Sequence, residues 1–197
     1  MPWECEIVRQ SVWPSGETAT LGWMRCCRRP RGTGTLELAT LDADDWPIAR
    51  EVRLRALKDS PSAYISEYED EVAVGEDGWR ERFTRMRWIV ARHQARVIGL
   101  ASSVRVDSRP PYERHVESVW VDPRHRRTGI LRAIFGHLTE VEPDVTEWRV
   151  WVLDTNFVAR EVYERLGFTP TGEWQPLADG SGRLEIRLRL DAPRRPG

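Results

Sequence analysis

The pattern of apolar and polar residues predicts strands along most of the chain after residue 35. Residues 36–41 alternate between apolar and polar side chains, as expected for a half-buried strand. Apolar and β-branched runs predict seven strands in all, at residues 36–41, 87–93, 96–106, 114–121, 147–153, 168–174 and 183–190. Gln94 and Ala95 form a two-residue hairpin turn between the second and third of these strands.

Apolar residues spaced three or four apart predict helices between the strands. A first helix is capped by Asp44 or Asp45 and ends near Asp59, before Pro61. Its apolar face consists of Ile48, Val52 and Leu57, which leaves its arginines for the opposite face. Residues 65–86 predict one or two further short helices, with Asp77 as a cap.

Two more helices follow in the second half of the chain. One covers residues 128–140, where Ile130, Ile134 and Leu138 repeat every four positions. The other covers residues 156–168, with an apolar face of Val158, Val162 and Leu166, and ends at Gly167. The order of elements predicts an α+β fold with a mixed, mostly antiparallel central sheet flanked by helices.

Domain organisation follows from a change in pattern near residue 35. Residues 35–192 have the length and regularity of one domain, and residues 193–197 are a short tail. Residues 1–34 are rich in Pro, Gly and Arg and show no period, so they predict a disordered extension; a partner-binding arm with three tryptophans is the alternative.

Composition narrows the class of protein. The 197 residues carry a formal net charge of -1, which argues against a nucleic-acid partner. The three cysteines are Cys5, Cys26 and Cys27, an odd number without metal-ligand spacing to a histidine. We therefore expect no metal and a reducing cytoplasm. No apolar run is long enough to span a membrane, and the first residues lack the order of a signal peptide.

An arginine-rich turn between a strand and a helix is the main chemical feature. The stretch "VWVDPRHRRTGIL" covers residues 119–131. Backbone N–H groups at a helix N-terminus attract anions, Gly129 permits close approach of a ligand, and Arg126 and Arg127 offer charge-assisted hydrogen bonds. The turn therefore predicts either a phosphate site or a solvated loop.

Two motifs together resemble the GNAT superfamily of N-acetyltransferases. Residues 119–131 are similar to the strand, Arg/Gln-x-x-Gly-x-Gly/Ala turn and helix that bind acyl-CoA in that family, and residues 156–168 to its Asn-x-x-Ala-x-x-x-Tyr-x-x-x-Gly-Phe helix. The segment "ALKDSPSAY" is similar to a loop between the family's first two helices. The resemblance covers residues 36–190 and implies the GNAT-like acyl-CoA N-acyltransferase fold.

The resemblance also implies a co-substrate, acetyl-CoA, and the residues that bind it. In the family fold the strand that ends at Val121 splays from its neighbour and pairs with the pantetheine arm. The residues carried over are Val119, Trp120, Val121, Arg126, Arg127, Thr128, Gly129, Ile130, Leu131 and Asn156. Leu131 departs from the family pattern, which has a small residue there. Asn156 is equally a simple helix cap.

Two residues are candidates for proton transfer. Glu117 is the candidate general base for the amine, with an exposed strand glutamate as the alternative; Glu113 and His115 on the same strand face are weaker candidates. Tyr163 is the candidate general acid for the CoA thiolate, with a packed helix tyrosine as the alternative. A backbone N–H near Val119 or Trp120 would polarise the thioester carbonyl.

The expected function is N-acetyl transfer from acetyl-CoA to a primary amine by direct attack in a ternary complex. The acceptor is a small-molecule amine or a peptide or protein amine, and a homodimer stays open as the oligomeric state. The acidic side chains of residues 67–71 predict a solvated face. In the family this region borders the acceptor cleft, where carboxylates would attract a cationic amine. The alternative function is a catalytically weak acyl-CoA-sensing or protein-interaction module, which Leu131 favours.

Overall fold

A seven-stranded sheet forms the centre of the protein. The structure is a computed structural model that describes residues 35–177 and 180–192. The strands are β1 (Leu36–Leu41), β2 (Met86–His93), β3 (Arg96–Val104), β4 (Glu113–Val121), β5 (Glu147–Leu153), β6 (Thr169–Pro176) and β7 (Leu184–Asp191). Their order in the sheet is β1-β2-β3-β4-β5-β7-β6. All neighbouring pairs are antiparallel except β4 and β5, which confirms the predicted mixed sheet.

Five helices cover the two faces of this sheet. They are α1 (Trp46–Asp59), α2 (Tyr68–Ala73), α3 (Glu76–Arg85), α4 (Ile130–Val141) and α5 (Phe157–Leu166). Helices α4 and α5 contribute Ile134 and Tyr163 to a core on one face. Helices α1 and α3 contribute Val52 and Trp79 to a separate core on the other face. Within the described ranges, no helix is long and apolar enough to cross a membrane.

Close packing holds α4 against the sheet. Ile130, Ile134 and Leu138 are all buried, which confirms the predicted apolar face of this helix. A Cβ atom at Gly99 of β3 would lie 3.0 Å from Ile130 Cγ2 and 3.2 Å from Ile134 Cδ1. The missing side chain at Gly99 therefore lets the first turn of α4 lie directly on the sheet.

Several predicted helix boundaries were wrong. Helix α1 does begin after Asp45, one of the two predicted caps, but the Asp45 side chain makes no capping hydrogen bond to it. Asp42 instead caps the short 3-10 turn that precedes the helix, and accepts a hydrogen bond from the Asp44 N–H at 2.9 Å. Asp77 lies inside the first turn of α3, whose N-cap is Gly75. Helix α4 begins at Ile130 rather than at residue 128, since Gly129 takes a left-handed conformation with φ of 89°.

The predicted face of α5 was also partly wrong. Val158 is 73% exposed, and the residues that contact the core are Ala159, Tyr163 and Leu166. The two ends of the helix agree with prediction. Asn156 accepts a hydrogen bond from the Ala159 N–H at 3.0 Å, and Gly167 ends the helix with φ of 100°.

Candidate active site

Strands β4 and β5 pair over only three residues and then separate. Their parallel register joins Glu113–His115 to Glu147–Arg149 and stops there. The Asp122 N–H bonds to the Ile98 carbonyl of β3 at 2.8 Å. Because backbone groups alternate between the two edges of a strand, those of Val119 and Val121 point away from β3, into the gap beside β5. We call this gap the wedge; Val119 and Val121 of β4 line it, and it lies directly before the arginine-rich turn.

A bulge in β4 lies between the residues that pair with β5 and the residues that line the wedge. Leu100 of β3 lies opposite Trp120 and Ser102 lies opposite Glu117, so Ser118 and Val119 together face one residue of β3. Ser118 has φ of 54°, a left-handed value that only a few per cent of non-glycine residues adopt. The bulge therefore changes which edge of β4 each backbone group faces, just after Glu117.

Side chains occupy both carbonyls of the wedge. The Tyr64 hydroxyl donates to the Val119 carbonyl at 2.9 Å, and Arg126 Nε donates to the Val121 carbonyl at 3.0 Å. The N–H groups of Val119 and Val121 have no strand partner in the described sheet. They therefore remain available to a carbonyl that enters the wedge.

The turn after β4 leads into an open helix N-terminus. Arg127 has φ of 63° and Gly129 φ of 89°, so two left-handed residues turn the chain before α4. A Cβ atom added at Gly129 would meet nothing within 4 Å. The first N–H groups of α4 therefore face open space, as an anion site requires.

Internal contacts hold the turn in shape. Asp122 accepts hydrogen bonds from the Arg124 N–H at 3.0 Å and from the guanidinium groups of Arg55 and Arg96 at 3.3 and 3.2 Å. Burial would raise the pKa of the Asp122 carboxyl, but these donors and positive charges hold it below its usual range. The Thr128 hydroxyl donates to the His125 carbonyl at 2.6 Å.

The two predicted phosphate arginines differ in their surroundings. Arg126 forms an ion pair with Asp59 at the end of α1, and Asp59 also accepts a hydrogen bond from Trp120 Nε1 at 3.1 Å. Arg127 is exposed and has no ion pair or hydrogen bond within the described part of the chain. A ligand at the turn would find Arg127 free, whereas Arg126 would have to leave Asp59.

Leu131 does not obstruct the helix N-terminus. Its side chain is half-buried and packs against the core formed with α4 and α5. Ile130 is buried in the same core, so at both positions only the backbone faces the turn. This placement removes the feature that favoured a catalytically weak module.

Glu117 lies on the face of the sheet that carries α1, since it alternates along β4 with Val116, which belongs to the core on the α4 and α5 face. Its side chain is accessible to solvent and makes no hydrogen bond or ion pair with the described residues. Burial among the surrounding atoms nevertheless raises the pKa of the Glu117 carboxyl. The positive charge of Arg53 opposes this rise, and the negative charge of Glu185 adds to it.

Tyr163 belongs to the core on the α4 and α5 face, against which Val119 and Val121 also pack. It is buried, with its ring centroid 5.2 Å from that of Phe168 in an edge-on arrangement. Its hydroxyl makes no hydrogen bond within the described residues, and burial raises the pKa of the phenol. The phenol is therefore protonated at neutral pH, as a general acid must be, although the raised pKa makes it a weaker acid.

Glu113 and His115 are held in a buried charge cluster. Arg187, which is fully buried, contacts both side chains and bonds to Glu173 at 2.7 Å. Arg149 Nε lies 3.3 Å from Glu113. Burial and the charge of Arg187 lower the pKa of His115. Because Glu113 and His115 are buried and engaged by these arginines, neither is accessible to an incoming amine in the way that Glu117 is.

Prediction from the sequence missed several residues that shape this region. Asp59, Tyr64 and Asp122 were not singled out, although Asp59 and Tyr64 lie in the segment "ALKDSPSAY" that supported the family resemblance. Glu71 was expected on a solvated face, but it is buried and paired with Arg82. In the described ranges, no group of three His, Cys, Asp or Glu side chains could hold a metal ion.

Comparison with known proteins identifies the family to which the chain belongs. The sequence profile of the acetyltransferase (GNAT) family matches residues 36–168. The chain belongs to the GNAT acetyltransferase family. It is 25% identical over 95 residues to the uncharacterized N-acetyltransferase YafP of Escherichia coli (strain K12). That match covers 48% of the chain and 54% of YafP, so it spans about half the length of this relative.

Solved structures share the fold. The ribosomal-protein-S18-alanine N-acetyltransferase from Escherichia coli superposes with a TM-score of 0.58 at 21% identity, over 80% of this GNAT chain and 94% of the other. The protein yncA from Salmonella typhimurium, described as a putative acetyltransferase and solved with its cofactor acetyl-CoA, gives a TM-score of 0.62 at 18% identity, over 83% of this chain and 97% of yncA. The predicted fold is therefore confirmed.

Proposed function

We propose that this GNAT protein transfers an acetyl group from acetyl-CoA to a primary amine by direct attack in a ternary complex. The observation that carries the proposal is the wedge between β4 and β5. It places the unpaired backbone N–H groups of Val119 and Val121 next to an open helix N-terminus at Gly129. Amide-rich and phosphate-bearing parts of one ligand would be bound side by side there.

The residues present suit acetyl-CoA. The turn supplies backbone N–H groups, the positive end of the α4 dipole and the free guanidinium of Arg127 for a pyrophosphate. The wedge supplies N–H groups for amide carbonyls. Acetyl-CoA itself supplies an activated thioester, which an amine can cleave without further activation of the acyl group. The S18-alanine acetyltransferase acts, by its description, on a ribosomal protein, which supports an amine acceptor for this chain.

Glu117 is the proposed general base. A primary amine is mostly protonated at neutral pH, so the proton must be removed before the nitrogen attacks. The raised pKa of Glu117 brings this carboxylate closer to the operating pH, which makes it a better base than an ordinary glutamate. A backbone N–H of the wedge would stabilise the oxyanion, and the Tyr163 phenol would return a proton to the departing sulfur.

The test is the pH dependence of turnover in Glu117→Gln, measured by thiol release with one accepted amine. Removal of the base should reduce turnover most at low pH, where little neutral amine is present, and should leave the dissociation constant for CoA near the wild-type value. Wild-type rates over the whole pH range would show that Glu117 is not the base.

A further inference from the structure

Arg53 is a buried arginine without an ion-pair partner. The arginines of α1 were predicted on its solvent face, but this was wrong for Arg53, which is only 7% exposed. Its helical spacing places it on the buried stripe with Ala49 and Ala56. Its guanidinium carbon lies 4.5 Å from the centre of the Tyr64 ring, and Nη2 donates to the Ser66 hydroxyl at 3.2 Å. Nη1 is buried and has no hydrogen-bond partner among the described residues.

Such a charge is costly to bury. Buried cations are normally paired with a carboxylate or fully hydrogen-bonded, because they lose their hydration. Among the described residues, no carboxylate lies within 4 Å of Arg53. Stacking on an aromatic ring recovers only part of the lost hydration. An unpaired arginine retained in the protein interior therefore calls for an explanation beyond stability.

The charges around Arg53 indicate the group on which it acts. Glu71 is the strongest negative influence on Arg53, but Glu71 is neutralised by its own ion pair with Arg82. Glu117 is the remaining carboxylate in its field, and it has no partner in contact. Conversely, the charged groups that act on Glu117 are Arg53 from α1 and Glu185 from β7.

We propose that Arg53 is a positioning residue that sets the working pH of Glu117 through space. This inference rests on the proposed function, in which Glu117 takes the proton of the amine. A guanidinium in contact would lower the basicity of the carboxylate strongly, and an ion pair would compete with the incoming amine. A guanidinium held beyond contact distance offsets the effect of burial without occupying the carboxylate.

Tyr64 links Arg53 to the segment of β4 that carries Glu117. Its ring supports the guanidinium of Arg53, while its hydroxyl donates to the carbonyl of Val119, two residues after Glu117. Burial raises the pKa of Tyr64 to about 12, so the hydroxyl remains a donor at neutral pH. Arg53 is therefore tied to the same bulged segment of β4 that carries the base.

The test compares pH–rate profiles of variants that change one charge each, using the same amine throughout so that its own titration is constant. Arg53→Met removes the positive charge and should move the acidic limb of kcat/KM to higher pH by about 0.5–1 unit, less than for a pair in contact. Arg53→Lys retains the charge and should restore most of the shift. Glu185→Gln removes a negative charge and should move the limb to lower pH.

A matched control is available one turn earlier on α1. Arg50 donates to the Val72 carbonyl at 3.0 Å and does not act on Glu117. Arg50→Met should therefore leave the limb in place. Thermal unfolding of each variant shows whether it folds, and if Arg53→Met does not, Arg53→Gln carries the test, since it retains a donor for Ser66.

The outcomes separate this inference from the proposed function. If Glu117→Gln lowers turnover most at low pH while a folded, uncharged variant at position 53 leaves the wild-type limb unmoved, the inference is wrong and the base assignment stands. If Glu117→Gln keeps wild-type rates over the whole pH range, both are wrong. Opposite shifts in Arg53→Met and Glu185→Gln, with none in Arg50→Met, support the inference.

Discussion

A substitution at Gly129 separates cofactor binding from stability. An alanine there would keep the left-handed backbone at a cost of about 1–2 kcal/mol, but its Cβ would meet no other atom within 4 Å. For a domain of this size, a loss of about 1 kcal/mol lowers the melting temperature by about 2–4 °C. The methyl group would instead project into the open space where we expect the phosphates.

The expected loss of affinity is larger than the loss of stability. Displacing one phosphate oxygen from the turn removes a hydrogen bond to a charged group, worth about 1.5–3 kcal/mol. Gly129→Ala should therefore weaken CoA binding by about ten- to a hundred-fold in calorimetric titration. An unchanged dissociation constant in this variant would refute the placement of the pyrophosphate at the start of α4.

Two other glycines provide controls. Gly136 is exposed in the middle of α4 with nothing near its Cβ position, so Gly136→Ala should stabilise the protein by about 0.5–1 kcal/mol and leave CoA affinity unchanged. Gly99→Ala should destabilise it by about 1–3 kcal/mol, because its Cβ would press on Ile130 and Ile134. Thermal unfolding distinguishes all three variants.

Further predictions concern the acid, the arginines and the first residues. Tyr163→Phe should lower turnover by about ten- to ten-thousand-fold without changing CoA affinity. Because burial raises the pKa of this phenol, its ionisation should cause no loss of the wild-type rate at any pH below 10. Arg127→Ala should weaken CoA binding by about 1.5–3 kcal/mol in calorimetry, and Arg126→Ala by less, since Arg126 must first leave Asp59. Removal of residues 1–34 should leave the melting temperature unchanged; a large decrease would show that this segment packs on the domain.

Local patterns were sufficient to predict most of the fold. The hydrophobic period placed all seven strands and the helices, because most of these segments bury at least one face or one stripe of their own residues. The exception is β6, which is largely exposed. Helix starts were less predictable. The extra turn before α1 and the left-handed Gly129 before α4 depend on contacts and backbone angles that a single stretch of sequence does not determine.

Sequence motifs were sufficient to predict the parts of the candidate site that lie within one segment. They were not sufficient to predict the contacts between distant segments. The turn at residues 126–131 and the cap at Asn156 follow from local sequence. The burial of Arg53 does not, because it depends on Tyr64 and Ser66 from the loop after α1. The ion pair of Arg126 with Asp59 likewise joins residues that are 67 positions apart. The assignment of residues 1–34 and 193–197 lies outside the described residues.

The most direct test of the account is acetyl transfer itself. The purified protein is incubated with acetyl-CoA and a panel of small-molecule, peptide and protein amines, and both thiol release and the acetylated product are measured. The account predicts that at least one amine gives thiol release and an equal amount of N-acetylated product, and that Glu117→Gln reduces both at low pH. Tight CoA binding with no amine-dependent thiol release across the panel would contradict it, and would favour an acyl-CoA-sensing module of the same fold.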